Sequence, residues 1–179
     1  KKNLPSSSWI ECEKEIYRNA TLNFTMSENV ADSIIKDYGC NSDRVANVLC
    51  GPCLNVSQDE VFDDARYSNK KILFVGVEWE RKGGPILEEA FKIVLNKFPD
   101  ATLDVVGCSP KLSIPNCNII GRVSLAEVSE YYKKASVFCL PTRFDPNPNV
   151  CFEAMAHKLP VISTNGGSRP EFIIEGKSG

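Results

Sequence analysis

From Lys71 onward, short apolar runs alternate with stretches of helical periodicity. No other feature of the 179-residue chain narrows its fold so far. Ile72-Leu73-Phe74-Val75 lies in a near-continuous apolar strand over 71–77. Pro85 opens a helix with Leu87, Ala90, Phe91, Val94 and Phe98 on one face, and Pro99 stops it. Strands follow at 103–106 and 118–120. Ser124-Leu125-Ala126-Glu127 is a capping box that starts a helix with Leu125, Val128, Tyr131, Tyr132 and Ala135 inward. Residues 137–140 read as strand, 150–157 as a short helix ended by His157, and 160–163 as strand, with a last helix near Pro170. Strands this short and apolar, separated by helices, are covered on both faces and therefore pair in parallel. The expected class is α/β, a Rossmann-like doubly wound parallel sheet, in which ligands bind beyond the carboxyl ends of the strands.

Residues 1–56 read as helix, strand, helix, strand. Ser8-Trp9-Ile10-Glu11 has the form of a capping box, followed by Trp9, Cys12, Ile16 and Ala20 at helical spacing. A strand is expected over 21–26. Ser27 caps a second helix with the stripe Val30, Ala31, Ile34, Ile35 and Tyr38, closed by Gly39, and a strand follows over 45–49. Residues 57–70 are polar and weakly periodic and read as a linker to the principal domain, 71–179.

Apolar residues make up 42% and charged residues 25%, the balance of an ordinary globular protein. A net charge of −2 argues against a nucleic-acid partner held by a general basic field. No apolar run approaches the ~18 residues of a membrane span, and residues 1–6 carry no apolar export core. The eight cysteines are scattered, several within apolar runs such as Val137-Phe138-Cys139-Leu140, and read as buried thiols of a reducing, cytoplasmic compartment. Sequons at Asn19, Asn23 and Asn55 are short enough to arise by chance.

Three loops carry chemistry. After the first strand of the principal domain comes Gly76-Val77-Glu78-Trp79-Glu80-Arg81-Lys82-Gly83-Gly84-Pro85. Its glycines would let backbone amides approach an anion beside the Lys82 ammonium. After the strand ending at Leu140 comes Pro141-Thr142-Arg143-Phe144-Asp145-Pro146-Asn147-Pro148-Asn149, leading into a helix with Glu153, so two carboxylates flank a helix start. The third is Thr164-Asn165-Gly166-Gly167-Ser168-Arg169-Pro170-Glu171. Singly, each is also a tight turn at a helix start. Together, cations and amides suit phosphate and carboxylates suit sugar hydroxyls. The dinucleotide fingerprint G-x-G-x-x-G is absent.

From Ile72 to Gly179 the chain resembles the C-terminal, donor-binding domain of a family 4 glycosyltransferase of GT-B architecture. The matching elements run from Phe74-Val75-Gly76 with Lys82-Gly83, through Val105-Val106-Gly107 and Ile119-Ile120-Gly121-Arg122-Val123, to Tyr131-Tyr132 through Phe138. Glu153-Ala154-Met155-Ala156, Leu159-Pro160-Val161-Ile162 and Gly166-Gly167 before Glu171 complete the series. Phe24-Thr25-Met26-Ser27-Glu28 is similar to the last part of the family's N-terminal domain, so 1–56 would be a partial N-terminal segment. The resemblance implies retaining transfer of a sugar from a nucleotide-sugar to an acceptor hydroxyl on a glycan, lipid or small molecule, without metal or other cofactor. It implies catalytic roles for Lys82, on the leaving diphosphate, and for Asp145 and Glu153, facing the transferred sugar and the ribose. Gly76, Gly83, Arg122, Val123, Asn149 and Val150 would join them in holding the donor, Arg122 and Val123 through backbone around the base. Lys82 and Glu153 are expected to converge on one bound pyrophosphate-ribose.

The chain departs from the family pattern in three ways. Asp145 stands for Glu, Asn147-Pro148 for Phe-Gly, and Val77 for an arginine. The chain also reads as incomplete, opening inside an N-terminal domain whose missing part would be its partner and stopping at Gly179 before the family's last strand. It is therefore expected to bind donor weakly and to transfer little by itself, in the cytoplasm or at the cytoplasmic face of a membrane. The alternatives are a non-catalytic sugar-nucleotide binding module and a thiol-disulfide oxidoreductase using Cys50-Gly51-Pro52-Cys53. The latter lacks the helical stripe that should follow such a motif. A zinc site at Cys40, Cys50 and Cys53 would want a fourth ligand.

Overall fold

The computed structural model describes residues 6–57 and 60–179. Residues 1–5, in the stretch read for an export core, and 58–59, within the expected linker, lie outside it. The chain forms two compact units, Lys1–Cys50 and Gly51–Gly179.

The first unit contains helix α1 (Ser7–Asn19), strand β1 (Asn23–Thr25), helix α2 (Glu28–Lys36), a 3-10 turn (Ser42–Arg44) and strand β2 (Val45–Asn47). β1 and β2 pair in parallel. Ser27 caps α2 as expected, its side chain accepting from Val30 N. The cap of α1 is not the expected box. Ser6 Oγ accepts from Trp9 N, so the helix begins two residues earlier. Ser8 falls inside the first turn with its hydroxyl on Ser6 Oγ at 2.9 Å, and Glu11 pairs with Lys14. Trp9 and Ile16 stay exposed. β1 inverts the usual pattern, with Asn23 and Thr25 buried and Phe24 facing out. Buried Asn23 is tolerated because its side-chain amide donates to Tyr17 O at 2.9 Å.

The second unit holds β3 (Lys71–Val75), α3 (Gly84–Lys97), β4 (Thr102–Val106), β5 (Cys117–Gly121), α4 (Leu125–Lys134), β6 (Val137–Leu140), α5 (Asn149–Ala156), β7 (Val161–Ser163) and α6 (Arg169–Phe172). The five strands lie in the order β5-β4-β3-β6-β7, all parallel. The Ser124/Glu127 capping box forms as read. Leu73, Phe74, Leu103, Val105, Phe138 and Leu140 are fully buried, covered by Leu87 and Phe91 of α3 and Val128 and Tyr132 of α4. Some residues expected inward are exposed: Ala90 and Phe98 on α3, and Leu125 on α4. The last two stand at helix ends.

The order reverses between β3 and β6: from β3 the chain steps outward to β4 and β5, then returns to the other side of β3. At such a reversal the adjacent loops leave in opposite directions and open a crevice. The loops after β3 and β6 are the two that the sequence marked for chemistry.

Residues 57–70, read as a linker, carry a 3-10 helix (Asp64–Asn69) in the second unit. Buried Arg66 donates from Nη2 to His157 O at 2.6 Å and from Nη1 to Lys133 O at 3.2 Å. Its guanidinium lies 4.7 Å from the Phe62 ring centre and 4.9 Å from that of Tyr67. Its carbonyl accepts from Ser136 Oγ at 2.7 Å, and the same hydroxyl accepts from Lys71 N at 2.9 Å, at the start of β3. Arg66→Ala strips charge-assisted bonds from two helix-end carbonyls. It is expected to lower stability by about 2–3 kcal/mol in equilibrium urea unfolding, with an unchanged m-value.

Candidate functional site

The loop after β3 folds on itself. Lys82 N donates to Glu78 O at 2.9 Å, Gly83 N to Glu80 O at 3.2 Å and Gly84 N to Trp79 O at 2.8 Å. The next residue is Pro85, which has no N–H. The expectation that amides of this glycine pair meet an anion is therefore corrected, because loop carbonyls already occupy them. The glycines serve close packing instead. At Gly83, with φ +79°, a Cβ would fall 1.7 Å from Pro141 O. At Gly84 it would enter the Trp79 ring, which also packs edge-on against Phe74. The β3–α3 loop thus lies directly on the β6–α5 loop. Arg81 O accepts from Arg143 N at 3.0 Å and Thr142 Oγ1 at 3.2 Å, and Arg81 Nη1 donates to Phe144 O at 2.8 Å.

Through this contact Lys82 reaches Asp145: Nζ and Oδ2 form an ion pair whose side chains are only 14% and 10% exposed. Gly76 lies beneath, where a Cβ would crowd Lys82 Cγ at 3.2 Å. Lys82 and Asp145 hence come together directly, with Gly76 and Gly83 as the space they need. Asp145 is held from behind as well. Arg169 Nη1 donates to Asp145 O at 2.5 Å and Nε to Thr164 O at 2.6 Å. Ser168 N donates to Pro146 O at 2.9 Å, and a Cβ on Gly167 would meet that same carbonyl at 2.6 Å.

Glu153 sits in the second turn of α5, buried. Its Oε2 accepts from Tyr132 OH at 3.0 Å. Burial raises its pKa, and the Tyr132 bond works against that rise. β3 and β6 are neighbours, so Lys82 and Glu153 leave adjacent strand ends, yet in this structure the Lys82 ammonium pairs with Asp145 rather than with Glu153. Asn149 and Val150 open α5, which has no side-chain cap at Pro148. Arg122 and Val123 follow β5, two strands from β3, about 10 Å away at ~4.8 Å per strand. Arg122 is exposed, while Val123 packs on the core. A hollow of about 850 Å³ opens on the other side of the β3–α3 loop, lined in part by Trp79, Arg81, Ser109 and Lys111. Its lining includes none of Lys82, Asp145 and Glu153.

Two contributors were not picked out by sequence, Arg169 and Tyr132. A signal for Arg169 existed: an arginine at the first position of a helix opposes the helix dipole and so marks a specific partner.

The thiols form no disulfide. All eight are free, and burial pushes Cys139 up to about 11 and Cys151 up to about 12. No helix starts after Cys53 within residues 54–57, and its Sγ accepts from Asn149 Nδ2 at 3.3 Å. Among the described residues no three His, Cys, Asp or Glu side chains are grouped to hold a metal ion. No helix of the described residues is long and apolar enough to cross a membrane.

The family described as Glycosyl transferases group 1 matches residues 69–179. The chain belongs to it. The alpha/beta architecture with its five-stranded parallel sheet is that of the GT-B glycosyltransferases, as the resemblance implied. An uncharacterized glycosyltransferase of Haemophilus influenzae is 32% identical over 124 residues, 63% of this chain and 35% of the relative. A D-inositol 3-phosphate glycosyltransferase of Corynebacterium urealyticum is 24% identical over 195 residues, 94% of this chain and 46% of the relative. The solved sucrose-phosphate synthase of Thermosynechococcus elongatus superposes with a TM-score of 0.70 at 18% identity, over 97% of this chain and 48% of that one. The chain spans about a third to a half of the length of these relatives.

Because a side chain at Gly83 would collide with a backbone carbonyl in a left-handed conformation, Gly83→Ala is expected to cost more than about 2 kcal/mol. Differential scanning calorimetry should show the lowered melting point. A melting point equal to that of the parent would mean that the two loops are not in contact.

Proposed function

We propose that this chain is the donor-binding half of a retaining glycosyltransferase that moves a sugar from a nucleotide-sugar to an acceptor hydroxyl. The observation that carries the reading is the buried Lys82–Asp145 pair, held where two loops meet at the strand-order reversal. In transfer, the bond from the sugar's anomeric carbon to the diphosphate oxygen breaks. A bond to the acceptor oxygen forms on the same face, and the acceptor proton passes to the departing diphosphate. Negative charge grows on that diphosphate, and a fixed ammonium is most useful where charge develops. Lys82 takes this role once the diphosphate replaces Asp145 as its counterion. Asp145 then turns to hydroxyls of the transferred sugar, and Glu153 accepts from the ribose hydroxyls. Backbone at Arg122 and Val123 holds the base. The start of α5 at Asn149 and Val150 meets phosphate in place of the occupied amides before α3. With the leaving group met by Lys82 and a helix start, the step calls on no metal.

A non-catalytic binding module is the second reading. It is favoured by Pro148 and Asp145, which remove an amide and shorten a carboxylate relative to the family pattern. Lys82→Ala and Glu153→Ala, made in a polypeptide as long as the relatives, separate the two. Loss of transfer with folding intact supports the enzyme. A parent that binds nucleotide but transfers from no donor supports the module. The reading places the protein in the cytoplasm or at the cytoplasmic face of a membrane, where nucleotide-sugars are made.

Uridine, guanosine and adenosine diphosphates, tested by thermal shift on this chain, are expected to raise the melting point for at least one base, since a ligand bound only by the folded form stabilises it. Lys82→Ala should abolish the shift. Asp145→Asn, which frees the ammonium from its competitor, should tighten diphosphate binding roughly tenfold, about 1.4 kcal/mol, in calorimetric titration. Weaker binding by Asp145→Asn would show that the carboxylate does not compete for Lys82.

A further inference from the structure

Tyr132 and His157 are fully buried and have no part in the transfer described above. Their rings stack, centres 5.0 Å apart and 20° from parallel. Each joins α4 to α5. Tyr132 OH, from α4, reaches Glu153 Oε2 at 3.0 Å, with Val150 O 3.2 Å away. His157, at the end of α5, has Nδ1 2.7 Å from Glu153 O and Nε2 2.8 Å from Ser129 Oγ on α4. A carbonyl only accepts, so Nδ1 carries the proton and Nε2 accepts from the Ser129 hydroxyl. The imidazole is then neutral, in keeping with burial, which lowers its pKa. Arg66 adds a further tie through His157 O. The Tyr132 ring is therefore fixed on one face by a histidine whose own two nitrogens are both engaged. Glu153 Oε1, in contrast, has no hydrogen-bond partner among the described residues.

We propose that Tyr132 is a positioning residue for the donor site, its hydroxyl fixing one carboxylate oxygen of Glu153 so that the other is presented to the ribose. This rests on the reading of Glu153 as the ribose acceptor. A carboxylate on a three-bond side chain has several rotamers, and a ligand that must select one of them binds more weakly. With Oε2 tied to a braced phenol, that selection is already made. The bond also favours the charged form of Glu153 against burial. The titratable groups around it are Tyr132 from α4, whose pKa burial pushes well up, and His157 and Cys151 of its own stretch, the latter pushed up to about 12. Only His157 shares the acid range with Glu153, so the Glu153→Gln protein, which keeps His157, tells which of the two carries a protein-borne limb.

The test uses this 179-residue chain and the best bound of uridine, guanosine and adenosine diphosphate, titrated calorimetrically from pH 4.5 to 8 beside its 2′-deoxy analogue. The parent should prefer the ribonucleotide several-fold and lose affinity on an acid limb. Tyr132→Phe keeps the ring and its stack on His157. It should bind three- to tenfold more weakly, lose most of the preference for ribose, and show its acid limb at higher pH. Glu153→Gln should keep only the limb of the ligand's own terminal phosphate, whose second pKa is about 6, with no further limb from Glu153. Should Tyr132→Phe not fold, 3-fluorotyrosine labelling of the parent sequence supplies a stronger phenol donor and should move the limb to lower pH. A Tyr132→Phe protein with the parent's ribose preference and limb, or a limb unmoved by fluorination, overturns the positioning role and leaves the donor reading standing. A parent that binds none of the three diphosphates overturns both.

Discussion

The ion pair between Lys82 and Asp145 is the constraint around which the second unit's working end is organised. Two opposite charges, each nearly out of water, are tolerable only together, since either one alone would keep its desolvation cost without a partner. Their meeting requires two loops from neighbouring strands to touch. That contact is made of backbone: Gly83 against the Pro141 carbonyl, and Arg81 O receiving both Thr142 and Arg143. In the proposed donor site a diphosphate would offer Lys82 more negative charge than one carboxylate does, so that reading entails an exchange of counterion at the pair. On that reading, the strength of the pair sets the threshold a diphosphate must exceed.

Behind the pair stands the parallel sheet. Because β3 lies between β4 and β6, its carboxyl end is the point from which the chain departs in both directions, and the loops after β3 and β6 are forced to share one edge. Arg169 then closes the far side, bonding Asp145 O and Thr164 O from the loop after β7. Three loops, each short, are thus linked through carbonyls rather than through side-chain packing. Such links hold positions to within the tolerance of a hydrogen bond, which suits groups that must face a charged ligand.

Much of this was legible in the sequence because burial on both faces leaves a strong signal. Leu73, Phe74, Val105 and Phe138 sit where the apolar runs put them, and Ser124 with Glu127 makes the cap that its spacing announces. Lys82 and Asp145 could be named as a site, but not as each other's partner, since 63 residues separate them and only the strand order brings them together. The glycines of the first loop were misread for a physical reason. A glycine before a helix suits either an anion or a close backbone, and the choice depends on whether the loop's own carbonyls take the amides, as Glu80 and Trp79 do here. The shift of the first helix cap from Ser8 to Ser6 has the same character: three serines in a row offer three caps, and an exposed helix gives little packing to choose among them. The role of Arg66 was hidden because the polar run 57–70 has no period, although its one arginine threads into the gap between two helix ends.

Glu153 is a buried carboxylate that takes one side-chain hydrogen bond, from Tyr132. Fully satisfied by protein donors it would have no accepting capacity left for a ligand, and with none burial would raise its pKa unopposed. One phenol bond to Oε2 lies between these extremes: it favours the charged form yet uses only part of the carboxylate's accepting capacity. The bond comes from α4, outside the loops that carry Lys82 and Asp145, so the two charged centres are set independently. In the proposed mechanism, exchange at Lys82 would therefore leave the acceptor at Glu153 undisturbed. The first is a movement of counterions between loops, and the second is fixed by the packing of α4 on α5.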